Sequence, residues 1–255
     1  LLRLSEALSA WGELAGVLEG VIGDGTTDVM LEDELRHTLV SRAAALFEGV
    51  ADQPENAIVL NRALLNDDPD NADAWSSLQR LYTQTGDLSG LTEVLERRLE
   101  LLDGALRVEL AIELAEIYEE RLVQLERAID VFQRVRGDVD EGDRRVYEAL
   151  ERLLAATQDW PELIGILTER ANSEPDTATA VALLWKAARV YEDALEAPED
   201  AMDLYAQIIT LDPSHQQALL RLDTLYSEAG RSIELLDVLT AELEQAESDE
   251  DRVTL

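Results

Sequence analysis

Apolar side chains fall at helical spacing along most of the chain, and no segment shows a convincing strand alternation. Trp75, Leu78, Leu81 and Tyr82 in ADAWSSLQRLYTQTG stand at i, i+3, i+6 and i+7, which places them on one face of a helix. Gly86 is the expected stop and Asp87 the cap of a following helix, LSGLTEVLERRLELL, whose stripe is Leu88, Leu91, Val94, Leu95 and Leu99. The pair predicts an antiparallel hairpin with a two-residue turn. The same hairpin returns as VYEALERLLAATQ with DWPELIGILTERA, and as ALLRLDTLYSEAG with RSIELLDVLTAEL. Between these lie longer-looped hairpins: HTLVSRAAALFEGV with PENAIVLNRALLNDDP, LRVELAIELAEIYEERL with LERAIDVFQRV, and TAVALLWKAARVYEDAL with PEDAMDLYAQIITLDP.

These hairpins recur with a period of 71 to 77 residues. Leu18, Leu95, Leu167 and Leu239 are 77, 72 and 72 apart, and Leu14, Leu91, Leu163 and Leu235 keep the same steps. Phe47, Tyr118 and Tyr191 are 71 and 73 apart, as are Ala57, Ala128 and Ala201. A period of this kind implies stacked supersecondary units, each burying its apolar face against its neighbours. Units are expected at roughly 1–70, 71–140, 141–213 and an incomplete 214–255. Leu1 and Leu4 align with Leu78 and Leu81, while Ser248 and Asp251 are spaced like the start of another helix; the expectation is a window cut from a longer array.

Half of the period is about 36 residues, and at this scale the chain resembles the tetratricopeptide repeat family. The resemblance is carried by Tyr191, Ala201, Tyr205, Ile208 and Pro213, and by Ala57, Leu64 and Pro69 followed by Trp75, Leu78 and Tyr82. Leu91, Leu163 and Leu235 stand where the family has a small Ala, and its second-position Gly is missing throughout, so those hairpins are expected to pack with a different helix approach. The resemblance implies an all-α fold, a right-handed superhelical solenoid of about seven antiparallel hairpins, and the role of a protein-interaction platform.

Composition narrows the function classes. The chain carries 55 Asp plus Glu against 21 basic residues, of which only Lys186 is a lysine, for a formal charge of −34. Such a surface repels nucleic-acid phosphates and anionic membranes and attracts proteins with basic segments. At 46% hydrophobic residues the chain has enough apolar matter to fold despite that charge. No run reaches the roughly 18 to 20 apolar residues of a membrane span. Without cysteine the redox compartment stays open; a cytoplasmic location is placed ahead of a periplasmic or extracellular one.

Catalytic and cofactor chemistry finds little footing. His37 and His215 are 178 residues apart, too far in a stacked array to act together, and both are expected at the surface. The Gly20–Thr26 loop lacks the lysine and preceding strand of a phosphate loop. Asn66–Asp73 lacks the central Gly and closing Glu of a calcium loop and reads as a repeat boundary that caps the next helix. No catalytic residue, cofactor or metal is expected.

Partner binding is expected on the first helices of the hairpins, off the packing stripe. Two positions after Leu78 and Leu150 stand Arg80 and Arg152; the corresponding positions of the longer hairpins hold Glu116 and Arg189, with Trp185 one turn before the latter. Trp185 is either an aromatic anchor on a groove wall or packing between hairpins. Trp11 and Trp160 head second helices and are expected to pack there. The reading is a non-catalytic scaffold holding a peptide or helix of a partner in a concave groove. The alternative is a structural array that self-associates into a larger assembly.

Overall fold

The structure, a computed structural model, describes residues 33–49, 53–138 and 143–245. The expectations on Leu1, Leu4, Trp11, Leu14, Leu18, the Gly20–Thr26 loop, Ser248 and Asp251 lie outside these residues. The described residues form twelve α-helices: α1 Asp33–Gly49, α2 Pro54–Asp67, α3 Ala72–Thr85, α4 Leu88–Leu99, α5 Gly104–Glu116, α6 Leu125–Val135, α7 Arg144–Thr157, α8 Trp160–Ser173, α9 Thr177–Asp193, α10 Pro198–Leu211, α11 Gln216–Ala229 and α12 Ser232–Gln245. A π-helical turn, Ile117–Arg121, extends α5. Among the described residues these helices make six hairpins, and no strand occurs. The chain divides into two compact units, one running to Leu106 and including residues 120–122, the other holding Arg107–Glu119 and everything from Val123 onward.

Helix boundaries repeat with the sequence period because the boundary chemistry repeats. The N-caps of α3, α7 and α11 are Asn71, Asp143 and His215, each 72 residues from the last, and each side chain accepts a backbone N–H of the first turn. In the short-looped hairpins the first helix ends at Gly86, Gln158 or Gly230, again 72 apart, with φ of 72°, 60° and 67°. Gln158 holds this left-handed conformation despite its Cβ, which costs about 1 kcal/mol relative to glycine. In the longer hairpins the carbonyls of Phe47, Tyr118 and Tyr191 accept from the N–H six residues on, at Gln53 (2.9 Å), Gln124 (2.8 Å) and Ala197 (2.9 Å). Each spans one residue more than the six-to-one bond that closes α7 and α11, where Asp159 N–H donates to Leu154 and Arg231 N–H to Tyr226.

The core follows the predicted stripes. Leu78, Leu150 and Leu222 are 0, 0 and 2% exposed, and Ala57, Ala128 and Ala201 are each 0% exposed. Ala at that position leaves room for a close neighbour where a larger side chain would not fit. In the α3–α4 hairpin, where Leu91 replaces the small residue, close approach is made one residue earlier. A Cβ built on Gly90 would lie 2.3 Å from the Tyr82 ring, so the missing side chain is the space the ring occupies. Leu91 itself is buried at 3% exposure. Glu162 and Glu234 occupy the equivalent positions in the other two short-looped hairpins, so this close approach is particular to α3–α4.

Candidate interaction surface

Within each compact unit, first helices of successive hairpins are tied by ion pairs. Glu48 at the end of α1 takes Arg80 of α3 at 2.5 Å, Glu119 in the turn after α5 takes both terminal guanidinium nitrogens of Arg152 on α7, and Glu151 takes Lys186 of α9 at 2.5 Å. Glu48, Glu119 and Glu192 directly follow Phe47, Tyr118 and Tyr191, so the acid is part of the repeat. In the last case Thr224 stands where Arg152 would recur, and Arg221, one turn earlier on α11, closes the pair with Glu192.

Around Glu192 the pairing becomes a network. Its carboxylate, 8% exposed, accepts from Arg221 and from the Tyr205 hydroxyl at 2.5 Å, and forms an ion pair with Arg189 at 3.5 Å. Burial alone would push the Glu192 carboxyl up, but the hydrogen bonds of Arg221 and Tyr205 outweigh it and hold the group below the usual carboxylate range. The Tyr205 hydroxyl is pushed up, first by burial and then by its bond to the carboxylate. Phe132, the equivalent residue of α6, has no hydroxyl to offer Glu119.

Trp185 lies against this network. Its ring is half-buried, with centroids 5.1 Å from Tyr205 and 5.4 Å from His215. Its remaining surface lines an open depression of about 730 Å³, walled by Val181, Ala182, Leu211 and Pro213 and edged by Lys186 and Asp212. That volume lies within the roughly 300–1,000 Å³ of small-ligand pockets. Both histidines, expected at the surface, are half-buried and serve helix starts. His215 Nδ1 accepts from Ala218 N–H at 3.1 Å, and His37 Nε2 meets the Asn71 side-chain amide at 3.1 Å. No group of His, Asp and Glu among the described residues is arranged to hold a metal ion, and none of the described helices is long and apolar enough to cross a membrane.

Hairpins recurring with this chemistry, with a fully buried Ala on α2, α6 and α10, give the chain its place. It is an all-α helical repeat fold of antiparallel hairpins, whose sequence resembles the tetratricopeptide repeat. Compared by sequence, the chain matches no family model and no curated protein. Among solved structures it is similar to MamA (16% identity, covering 80% of this chain and 93% of that one, TM-score 0.33). It is similar too to YrrB, a TPR protein with an unusual peptide-binding site (18% identity, 77% and 96% covered, TM-score 0.36). A third is the C-terminal part of a TPR repeat-containing protein from Cytophaga hutchinsonii (11% identity, 99% and 96% covered, TM-score 0.37).

The residues singled out from sequence fall into three situations. Arg80 and Arg152 are exposed but engaged by Glu48 and Glu119. Arg189 is turned along its own helix toward Glu192 and Asp193, the latter at 2.7 Å, while Glu116 is exposed at the end of α5. Trp185 both packs between hairpins and lines the depression. Sequence reasoning missed Glu192, Tyr205, Arg221 and Asp212. The recurrence of Glu directly after Phe47, Tyr118 and Tyr191 was the available signal for the first; the others carry none.

Proposed function

We propose that this chain is a non-catalytic protein-interaction scaffold that holds an extended segment or helix of a partner along the first helices of its hairpins. The observation that carries the reading is the depression at Trp185, where an aromatic ring with partial exposure sits among apolar walls on a rigid helical frame. Glu116, Arg152 and Arg189 are further contact positions of the same unit, and Arg80 is the corresponding position of the other unit. Because Arg80 and Arg152 already hold carboxylates, a partner acid would have to displace Glu48 or Glu119, and apolar contact at Trp185 supplies the anchor. The charge of −34 makes basic segments the favoured partners.

Panning a phage-displayed random dodecapeptide library on the immobilised chain tests this. Enriched peptides should share a sequence pattern, compete for one site and lose binding to Trp185→Ala. A library that yields no pattern, or peptides indifferent to Trp185→Ala, refutes the reading. The alternative is an array that self-associates into a larger assembly. Light scattering over a concentration series separates the two, since an unchanging monomer mass counts against assembly.

A further inference from the structure

Aromatic rings in this chain are repeatedly covered by guanidinium groups. Arg62 lies over Tyr82 at 5.7 Å, Arg97 over Trp75 at 5.8 Å, Arg170 over Tyr147 at 5.8 Å and Arg231 over Tyr226 at 5.0 Å. Trp185 has ring neighbours instead, Tyr205 and His215, and its free surface opens into the depression. The walls there suit an aliphatic stem, being the side chains of Val181, Ala182, Leu211 and Pro213. At the rim Asp212 accepts from Ser214 N–H (3.0 Å) and Oγ (2.7 Å) through Oδ1, which holds its carboxyl below the usual range and keeps it charged. Its other oxygen has no donor among the described residues. The single cation in the lining, Lys186, is neutralised by Glu151 at 2.5 Å.

We propose that this depression is a recognition pocket for an arginine side chain of a basic partner segment, its stem on the apolar walls, its guanidinium over Trp185 and hydrogen-bonded to Asp212. This rests on the scaffold reading above and names the partner chemistry at its anchor. Arginine suits the site because a planar, weakly hydrated cation gains from stacking on an indole and from a carboxylate at its edge. The strong negative charge of the chain adds a long-range attraction to the same partner.

The test is an NMR titration of the full chain with N-acetyl-arginine amide, read at the Trp185 indole N–H, which Trp185→Phe identifies. N-acetyl-citrulline amide and N-acetyl-leucine amide serve as comparators. Arginine amide should give a saturable shift, citrulline amide at least several-fold weaker binding, and Asp212→Asn a roughly three- to tenfold loss for arginine amide alone. No saturable shift, or equal shifts with citrulline, overturns the proposal. A preference for leucine amide overturns it too while leaving the scaffold reading standing, because that reading fails only if library panning yields no Trp185-dependent peptide. Asp212→Asn and Trp185→Phe are checked by far-UV circular dichroism, so a loss of fold is not read as a loss of the pocket.

Discussion

Replacing Glu192 by glutamine keeps the side chain's shape and removes the charge at the centre of the α9–α10–α11 network. In the native chain the carboxylate is 8% exposed, accepts from Arg221 and the Tyr205 hydroxyl, and is ion-paired with Arg189. Hydrogen bonds to charged groups contribute about 1.5–3 kcal/mol each, and removing one member of a buried pair costs about 3–5 kcal/mol. Arg221 and Arg189 are 37 and 39% exposed, so water takes over part of their solvation and lowers that figure. The expected cost of Glu192→Gln is about 2 kcal/mol. Glu119→Gln should cost about half as much, since Glu119 is 23% exposed and Arg152 58%. Arrays of this kind need not unfold in one step. Urea denaturation followed at 222 nm is therefore paired with native-state hydrogen exchange of the α9–α11 amides, where the loss should concentrate. The folded-state pKa of Glu192 is depressed, so its contribution is complete above the unfolded carboxyl value of about 4.3 and is lost as pH falls below it. The gap between wild type and Glu192→Gln should accordingly close on acidification below about pH 4. A variant no less stable than Glu148→Gln, which alters a pair 51 and 80% exposed, refutes the network account.

Other outcomes follow from the repeat chemistry. Gln158→Gly should stabilise the chain by about 0.5–1 kcal/mol, whereas Gly86→Ala and Gly230→Ala should destabilise it by about 1 kcal/mol, all read as shifts in Tm. Gly90→Ala places a methyl 2.3 Å from the buried Tyr82 ring and should cost about 1–3 kcal/mol in urea, while Gly165→Ala, with nothing within 4 Å of its Cβ, should be neutral or stabilising. Raising ionic strength from about 0.01 to 0.15 M shortens the screening length from about 30 to 8 Å, and Tm should rise because the excess of negative charge outweighs the exposed ion pairs. A Tm that falls with salt would mean the ion pairs dominate.

Much of the fold was legible because helix boundaries are local chemistry. Gly86 and Asp87 announce a stop and a start within two residues, and the stripe through Trp75, Leu78 and Tyr82 needs only helical spacing. The ion pairs made by the proposed contact residues were not legible. Arg80 and Arg152 recur, yet their partners Glu48 and Glu119 stand 32 and 33 residues away, a distance that becomes contact only once hairpins stack. Glu192 is one of 55 acidic residues in the sequence, and its burial comes from the neighbouring helices. Likewise the need for glycine at position 90 arises from the Tyr82 ring on the preceding helix, which helical spacing does not register.

The claim that a partner is anchored at Trp185 is tested most directly by isothermal titration of a library-selected peptide into the wild-type chain and into Trp185→Ala. With far-UV circular dichroism unchanged, affinity should fall by at least about 30-fold, the loss of a central aromatic anchor. Equal affinity for the two chains would contradict it.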